Sequence, residues 1–192
     1  MGVAAEIPSF GGRAGLRMAT AATHERMHAL PEFTAIEAGT LSLDDYGRLV
    51  ATLYRFQDAM GAAAQAGGLG ALSGAPRRLP LLAADLAVLG RAAPCPGHGW
   101  QSPSRAFLLG GLYVAEGSML GGKVIARQLD YLFGARLDGR RFFAGTNEDK
   151  PAWRRLVALL ERECTGAGLL GETVEGAEAA FAFFQRSVEQ AR

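Results

Sequence analysis

Two of the three histidines in the chain, His24 and His28, are one helical turn apart, and Glu25 follows the first of them. Residues 24–28, HERMH, fit the H-E-x-x-H pattern of zinc peptidases, in which the histidines bind the metal and the glutamate activates water. The pattern is short, Arg26 places a cation beside the supposed metal, and a third ligand would have to be His98 or an unidentified carboxylate. We therefore expect no zinc peptidase site here.

Residues 110–122 contain five glycines in a segment whose apolar pattern is otherwise helical. Each glycine inside a helix costs roughly 0.5–1 kcal/mol relative to alanine, so the segment gives up on the order of 3–5 kcal/mol of helix propensity. Gly117 and Gly121 are one turn apart, where missing side chains would permit a kink and let a backbone or a flat ligand approach closely. Tight packing between helices is the alternative explanation.

The elements that carry these residues are predicted to be helices, because apolar residues recur at helical spacing and no segment reads as a strand. We expect an all-α fold. The predicted helices are 13–28, a helix from the Ser42 cap to about 65, 81–91, a long segment from the Ser102-Pro103 pair to about 133, 150–164 and 173–190.

Composition predicts one globular domain covering residues 1–192, with residues 1–12 poorly ordered. The 192 residues carry a net charge of +1, with 49% hydrophobic and 20% charged residues and a mean hydropathy of +0.09. This balance argues against a nucleic-acid-binding protein and against intrinsic disorder. No secretory signal, disulfide framework or membrane span is visible in the sequence, so we expect a cytoplasmic protein.

Taken together, the two segments resemble the biliverdin-producing haem oxygenase family, particularly its bacterial branch. The resemblance rests on the run L-R-x-A-T-x-x-x-H that ends at His24 and on the run Y-x-x-E-G-S-x-L-G-G that begins at Tyr113. It extends over most of the chain, and the glycine-rich run is its specific part. It implies a single-domain helical bundle in which haem lies between the first helix and a kinked, glycine-rich distal helix.

The resemblance also assigns roles to individual residues. It makes His24 the axial ligand of the haem iron, and a neutral imidazole suits iron. Arg17 and Tyr113 match positions that bind haem propionates, Arg154 is a looser match with Arg155 as an equal candidate, and Phe181 matches a wall of the haem pocket. Ordinary core packing would explain Tyr113 and Phe181 as well, and solvated charges would explain Arg154 and Arg155.

One position departs from the family pattern. Family members often place a carboxylate one turn after the axial histidine, but His28 stands there in this chain. The partner of the second ring nitrogen of His24 therefore stays open.

On the distal side, the resemblance assigns catalysis to Gly117, Ser118 and Gly121, with Gly122 also contacting haem. These residues offer backbone and one hydroxyl instead of a strong side-chain acid. The family chemistry implied is O2-dependent hydroxylation of a meso carbon of the haem itself, giving biliverdin, carbon monoxide and ferrous iron. Because a basic residue is retained at Arg17, we expect attack at the α carbon.

Electrons must then come from another protein, because the sequence has neither a dinucleotide-binding motif nor a cysteine cluster. A ferredoxin, flavodoxin or reductase is expected, and a bacterial photoreceptor that accepts the bilin is a further candidate partner. Five arginines could form a docking surface for an acidic donor, although scattered solvated cations explain them too: Arg26, Arg127, Arg136, Arg140 and Arg141.

Two further functions compete with this interpretation. A haem carrier, sensor or storage protein would use the same pocket without turnover. A thiamin-degrading hydrolase on a similar all-α scaffold would need a cysteine nucleophile, for which Cys164 is the candidate.

Overall fold

The computed structural model describes residues 12–96, 99–164 and 166–192, except for the side chain of Ala167. Within these ranges the chain forms helices and loops and contains no strand, which confirms the all-α prediction. Gly12 begins the first helix, while the rest of the terminal segment that was expected to be poorly ordered lies outside the described residues.

Eleven α-helices and two 3-10 segments account for the secondary structure of the described ranges. In chain order the helices are α1 Gly12–Ala19, α2 Ala21–His28, α3 Pro31–Glu37, α4 Leu43–Ala66, α5 Ala75–Val88, α6 Arg105–Gly117, α7 Gly122–Gln128, α8 Asp130–Phe133, α9 Arg141–Ala144, α10 Asp149–Glu163 and α11 Ala167–Gln190. The 3-10 segments are Gly70–Leu72 and Ser118–Leu120.

The predicted first helix is interrupted at Thr20, which separates α1 from α2. The Thr20 hydroxyl donates a hydrogen bond to the carbonyl of Leu16, 2.8 Å away, and back-bonding of this kind bends helices. Pro31 begins α3, because a first-turn proline needs no amide hydrogen.

The long predicted segment is broken into shorter helices, as expected for a kinked, glycine-rich helix. The helix begins at Arg105 and not after Ser102, because Ser104 provides the cap: its hydroxyl accepts a hydrogen bond from the amide of Phe107 at 3.2 Å. α6 ends at Gly117, and a 3-10 turn joins it to α7. The break thus falls inside the glycine-rich run.

Two other helices begin earlier in the chain than their apolar patterns predict. α5 begins at Ala75 and contains Pro80, whereas the predicted helix starts at 81. α11 begins at Ala167, six residues before the predicted start at 173. Apolar residues at helical spacing predict one buried face on each of the two longest helices, and both faces are buried. On α4 the face consists of Tyr46, Leu49, Leu53, Phe56 and Met60, and on α11 of Ala177, Phe181, Phe184 and Val188, with Val174 partly buried against the same cluster.

The central contact of the fold is between α6 and α11, whose backbones approach closely at two glycines. A Cβ atom on Gly110 would lie 2.0 Å from the carbonyl oxygen of Thr173, and one on Gly176 would lie 1.9 Å from that of Phe107. No side chain fits at either distance. Packing between helices therefore explains Gly110.

None of the helices in the described ranges has both the length and the apolar composition needed to cross a bilayer.

The close approach predicts a large difference between two glycine-to-alanine substitutions on α11. We expect Gly176→Ala to lower the free energy of unfolding by about 1–3 kcal/mol, because the added methyl group collides with backbone. Gly171→Ala is the matched control: its Cβ would meet nothing within 4 Å, so it should raise the free energy of unfolding by about 0.5–1 kcal/mol. Urea denaturation monitored by circular dichroism measures both, and equal effects would contradict the backbone contact.

Candidate functional site

His24 lies on α2 with its side chain exposed and its ring against two other rings. The His28 ring is 4.7 Å away between centroids, and the Phe181 ring is 6.3 Å away, both edge-on. The pKa of His24 is lowered from its ordinary value, chiefly because desolvation penalises the charged ring and secondly because His28 is close. The lowered pKa favours the neutral imidazole, the form that binds a metal ion.

A buried polar contact ties α2 to α11 one residue before His24. The hydroxyl of Thr23 donates to the carboxylate of Glu178, whose oxygens are 2.7 and 2.8 Å away, and Arg26 donates to the same hydroxyl at 2.7 Å. Glu178 has no recognisable signal in the sequence, because its partner is 155 residues away. This contact fixes the position of the helix that carries His24.

Arg17 and Tyr113, predicted to share a role, are brought to the same place. Burial raises the pKa of the Tyr113 hydroxyl, while the guanidinium groups of Arg13 and Arg17 and a hydrogen bond with Thr20 act in the opposite direction. Tyr113 on α6 therefore meets the junction of α1 and α2. A depression of about 340 Å³ on α1 and the start of α2 is lined by Arg13, Ala14, Arg17, Met18 and Ala21.

Arg13 and Trp153 belong to this site, although the sequence analysis did not select them. The Trp153 ring centroid is 5.5 Å from that of Tyr113 and 6.0 Å from the Arg13 guanidinium carbon. Arg13 could have been found, because it lies one helical turn before Arg17. Trp153 could not, because its partners are distant in the chain. Arg154 and Arg155 are both exposed, so burial does not distinguish between them.

The five glycines of the glycine-rich run separate into two groups. Three are used in packing: Gly110 contacts the backbone of α11, while Cβ atoms on Gly111 and Gly122 would lie 2.6 Å from the Trp100 ring and from the Phe143 carbonyl oxygen, respectively. A Cβ on Gly117 would be 3.4 Å from the Trp153 ring, and one on Gly121 would meet nothing within 4 Å. Gly121 thus borders open space and Gly117 faces the Trp153 ring at an ordinary contact distance, whereas the packing contact of Gly122 is sufficient to explain that residue.

Ser118 is exposed, and its hydroxyl donates to the carbonyl of Ala115 at 2.9 Å. Tyr113 and Gly117 are one turn apart on α6 and share a face. The contacts of these residues form two groups: the His24 ring lies against His28 and Phe181, and the Tyr113 ring lies against Trp153. The Arg17 guanidinium acts to lower the pKa of both His24 and Tyr113.

The two competing enzyme hypotheses receive no support from the described residues. No group of three or more histidine, cysteine or carboxylate side chains able to hold a metal ion occurs in the described ranges, and His98, the candidate third zinc ligand, lies outside them. Burial raises the pKa of the Cys164 thiol, and the Thr173 hydroxyl donates to its sulfur at 3.2 Å. Cys164 is therefore a poor nucleophile.

One of the five arginines considered for a docking surface is buried. Arg140 is 4% exposed and donates to Asp130 and to the carbonyls of Ala126 and Gly134. The expectation that Arg140 is a surface cation is therefore wrong, because its guanidinium is buried and binds acceptors on α7, on α8 and at Gly134. The other four are exposed: Arg26, Arg127, Arg136 and Arg141.

Three solved structures share this arrangement of helices. The haem oxygenase of Neisseria meningitidis, solved with NO and CO bound, aligns with a TM-score of 0.75 over 95% of this chain and 92% of that one, at 20% identity. The haem oxygenase of Leptospira interrogans gives 0.74 over 94% and 100%, at 15% identity. Haem oxygenase-1 of Synechocystis sp. PCC6803, solved in complex with haem, gives 0.70 over 94% and 92%, at 18% identity.

The chain has the haem oxygenase fold. A sequence relationship agrees with this: over 112 residues the chain is 40% identical to a haem oxygenase of Xanthomonas campestris pv. campestris (strain 8004). The match covers 56% of this chain and 65% of that relative, so it spans slightly less than two thirds of the relative's length. No family model matches. The predicted resemblance to bacterial haem oxygenases is confirmed.

Open space at Gly121 and backbone contact at Gly122 predict opposite tolerance of a methyl group within the haem oxygenase fold. Gly121 has ordinary right-handed helical angles, with φ −87°, so Gly121→Ala should change the free energy of unfolding by less than about 0.5 kcal/mol. Gly122→Ala should lower it by about 1–3 kcal/mol. Thermal unfolding of the haem-free protein tests this, and a destabilised Gly121→Ala variant would show that packed atoms surround Gly121.

Proposed function

We propose that the chain is a haem oxygenase that cleaves haem at a meso carbon, using O2 and electrons from another protein, to give biliverdin, carbon monoxide and ferrous iron. The observation that carries the proposal is the haem oxygenase fold, in which the resemblance assigns His24 to the iron and Gly121, whose backbone borders open space, to the distal side of haem. The sequence relationship to the Xanthomonas haem oxygenase supports it.

The proximal residues fit haem by their chemistry. His24 would bind the iron through a ring nitrogen, and the Phe181 ring beside it would line the pocket. His28 replaces the carboxylate that family members often place one turn later, and its ring packs edge-on against His24. His28 thereby restricts rotation of the His24 ring by contact, while the Thr23 hydrogen bond to Glu178 holds the helix.

The rim of the site fits the two propionates. Arg17 and Tyr113 would bind one carboxylate, with Arg13 as a second cation one turn away, since guanidinium groups bind carboxylates through two parallel hydrogen bonds. Arg154 is an additional candidate. Binding the propionates fixes how haem is rotated in its plane, and a cation at Arg17 favours reaction at the α carbon.

The distal residues would act through the absence of bulky side chains and of a strong side-chain acid. Bound haem would supply the iron that activates O2 and the meso carbon that is oxidised. Gly121 would leave room beside that carbon, Gly117 would add only backbone, and the Ser118 hydroxyl already donates to a backbone carbonyl. With no strong acid among residues 117–122, protons would come from ordered water, and the close backbone would restrict how O2 is oriented.

The electron donor is proposed to be a ferredoxin, a flavodoxin or a reductase. The exposed arginines Arg26 and Arg127 could contribute to its docking surface, together with Arg136 and Arg141, as long-range attraction for an acidic protein. A photoreceptor that takes up the bilin remains a candidate partner.

The first test concerns the axial ligand. His24→Ala should eliminate the Soret band of a histidine-bound haem and weaken hemin binding on the order of tenfold, which corresponds to about 1.4 kcal/mol. His28→Ala is the matched control, because it removes a neighbouring imidazole but leaves the proposed ligand, so it should keep the histidine-type spectrum. Hemin titration followed by absorbance measures both. An unchanged spectrum in His24→Ala would eliminate His24 as the ligand.

The second test separates an oxygenase from a haem carrier. Wild-type protein with hemin, a reducing system and air should give biliverdin, mainly the α isomer, detected by chromatography. Gly121→Phe should still bind hemin through His24 but form bilin on the order of 100-fold more slowly, because a bulky side chain misplaces the reacting groups.

Gly168→Phe is the control for the added ring, since Gly168 is exposed and a Cβ there would meet nothing within 4 Å. Haem binding by the wild type without any bilin would favour the carrier. A product dominated by β or δ isomers would contradict the role of Arg17 in orienting haem.

A further inference from the structure

A buried ionic cluster lies directly behind the glycine-rich break. We call Arg78, Glu116 and Asp149 the ionic anchor. Arg78 is fully buried on α5 and binds Glu116 through two nitrogens, at 2.8 and 3.0 Å. It also donates to one oxygen of Asp149 at 2.9 and 3.2 Å. The anchor therefore joins α5, the last turn of α6 and the first turn of α10.

Backbone amides donate hydrogen bonds to both carboxylates of the anchor. Glu116 accepts a hydrogen bond from the amide of Gly74 at 2.7 Å, and Asp149 accepts one from the amide of Thr146 at 2.6 Å. Burial alone would raise the pKa of Asp149, but hydrogen bonding from Thr146 and the guanidinium of Arg78 outweigh it and hold the pKa below its ordinary value. One cation and two carboxylates are thus stable together.

The anchor is connected to the exposed side of the break through one carbonyl group. The oxygen of Ala115 accepts hydrogen bonds from Arg78 at 3.3 Å and from the Ser118 hydroxyl at 2.9 Å. Glu116 immediately precedes Gly117, the residue at which α6 ends. A shift of the guanidinium would therefore move the groups that hold both Ser118 and the end of α6.

A buried ion cluster is a poor source of stability, because desolvation of the charges offsets their attraction. Apolar side chains of similar volume would often serve the core as well or better. What directional ionic hydrogen bonds add is a defined position. The segment after Glu116 needs this, because Gly117 has no side chain to fix its register and Ser118 is exposed.

We propose that Arg78, Glu116 and Asp149 are positioning residues that fix the Gly117–Gly121 segment and thereby the orientation of haem. The second half of this inference, the effect on haem orientation, rests on the proposed function. The first half, the fixed position of the Gly117–Gly121 segment, concerns the haem-free protein and is tested without any haem chemistry.

Hydrogen exchange of the haem-free protein, followed by mass spectrometry, tests the first half. In Glu116→Gln and Arg78→Lys, amides 117–121 should exchange about tenfold faster than in the wild type, because neither substitute reproduces the forked ion pair. Leu82→Ala is the matched control: Leu82 is fully buried on the same helix one turn later, so its loss lowers stability without removing an ionic contact.

The triple substitution Arg78→Met/Glu116→Gln/Asp149→Asn distinguishes loss of position from loss of folding. It removes all three charges together, keeps amide oxygens that can accept from the Gly74 and Thr146 amides, and should keep the thermal stability near that of the wild type. Amides 117–121 should nevertheless exchange about tenfold faster. Wild-type exchange in this variant and in Glu116→Gln would overturn the proposal, as would equal acceleration in Leu82→Ala.

The bilin product tests the second half. Wild-type protein should give mainly one isomer, whereas the triple variant, saturated with hemin, should give a mixture. A faster-exchanging variant with the wild-type isomer pattern would overturn the effect on haem orientation. If the wild type forms no bilin at all, the proposed function fails, and the exchange measurement alone decides whether the anchor positions the segment.

Discussion

The contact between α6 and α11 is the constraint on which the rest of the site depends. Their backbones meet where Gly110 and Gly176 have no side chains, and carbonyl oxygens occupy the space that a Cβ would need. This pair of helices carries both walls of the site: Tyr113 follows Gly110 by three residues, and Phe181 follows Gly176 by five. A change in their separation would therefore move Tyr113 relative to Phe181, which lies beside His24.

Glycine serves two opposite purposes in the same run. At Gly110 and Gly122 it brings backbone against backbone, which makes the interior denser. At Gly121, directly after the 3-10 turn that follows α6, it leaves surface uncovered. Close packing at Gly110 and Gly122 thus offsets part of the helix propensity that the run loses. The open surface at Gly121 would let a ligand approach the backbone.

Directional polar contacts hold both sides of the site. The helix that carries His24 is tied to α11 through Thr23 and Glu178, and the end of α6 is tied to α5 by Arg78 and Glu116. Apolar packing alone specifies volume more strongly than exact position, whereas a forked ion pair has one good geometry. The polar contacts therefore sit next to the residues whose placement matters for the proposed chemistry.

The sequence by itself determined the all-α class, the buried faces of α4 and α11 and the unusual glycine run, because these depend on the spacing of residues within single segments. The resemblance drawn from two short runs also named His24 and Tyr113. The roles of Arg13 and Trp153 were decided only by the tertiary structure, as was the division of the glycines. Each of these depends on which atoms of another helix or loop lie next to the residue, and the spacing of residues within one segment does not reveal those neighbours.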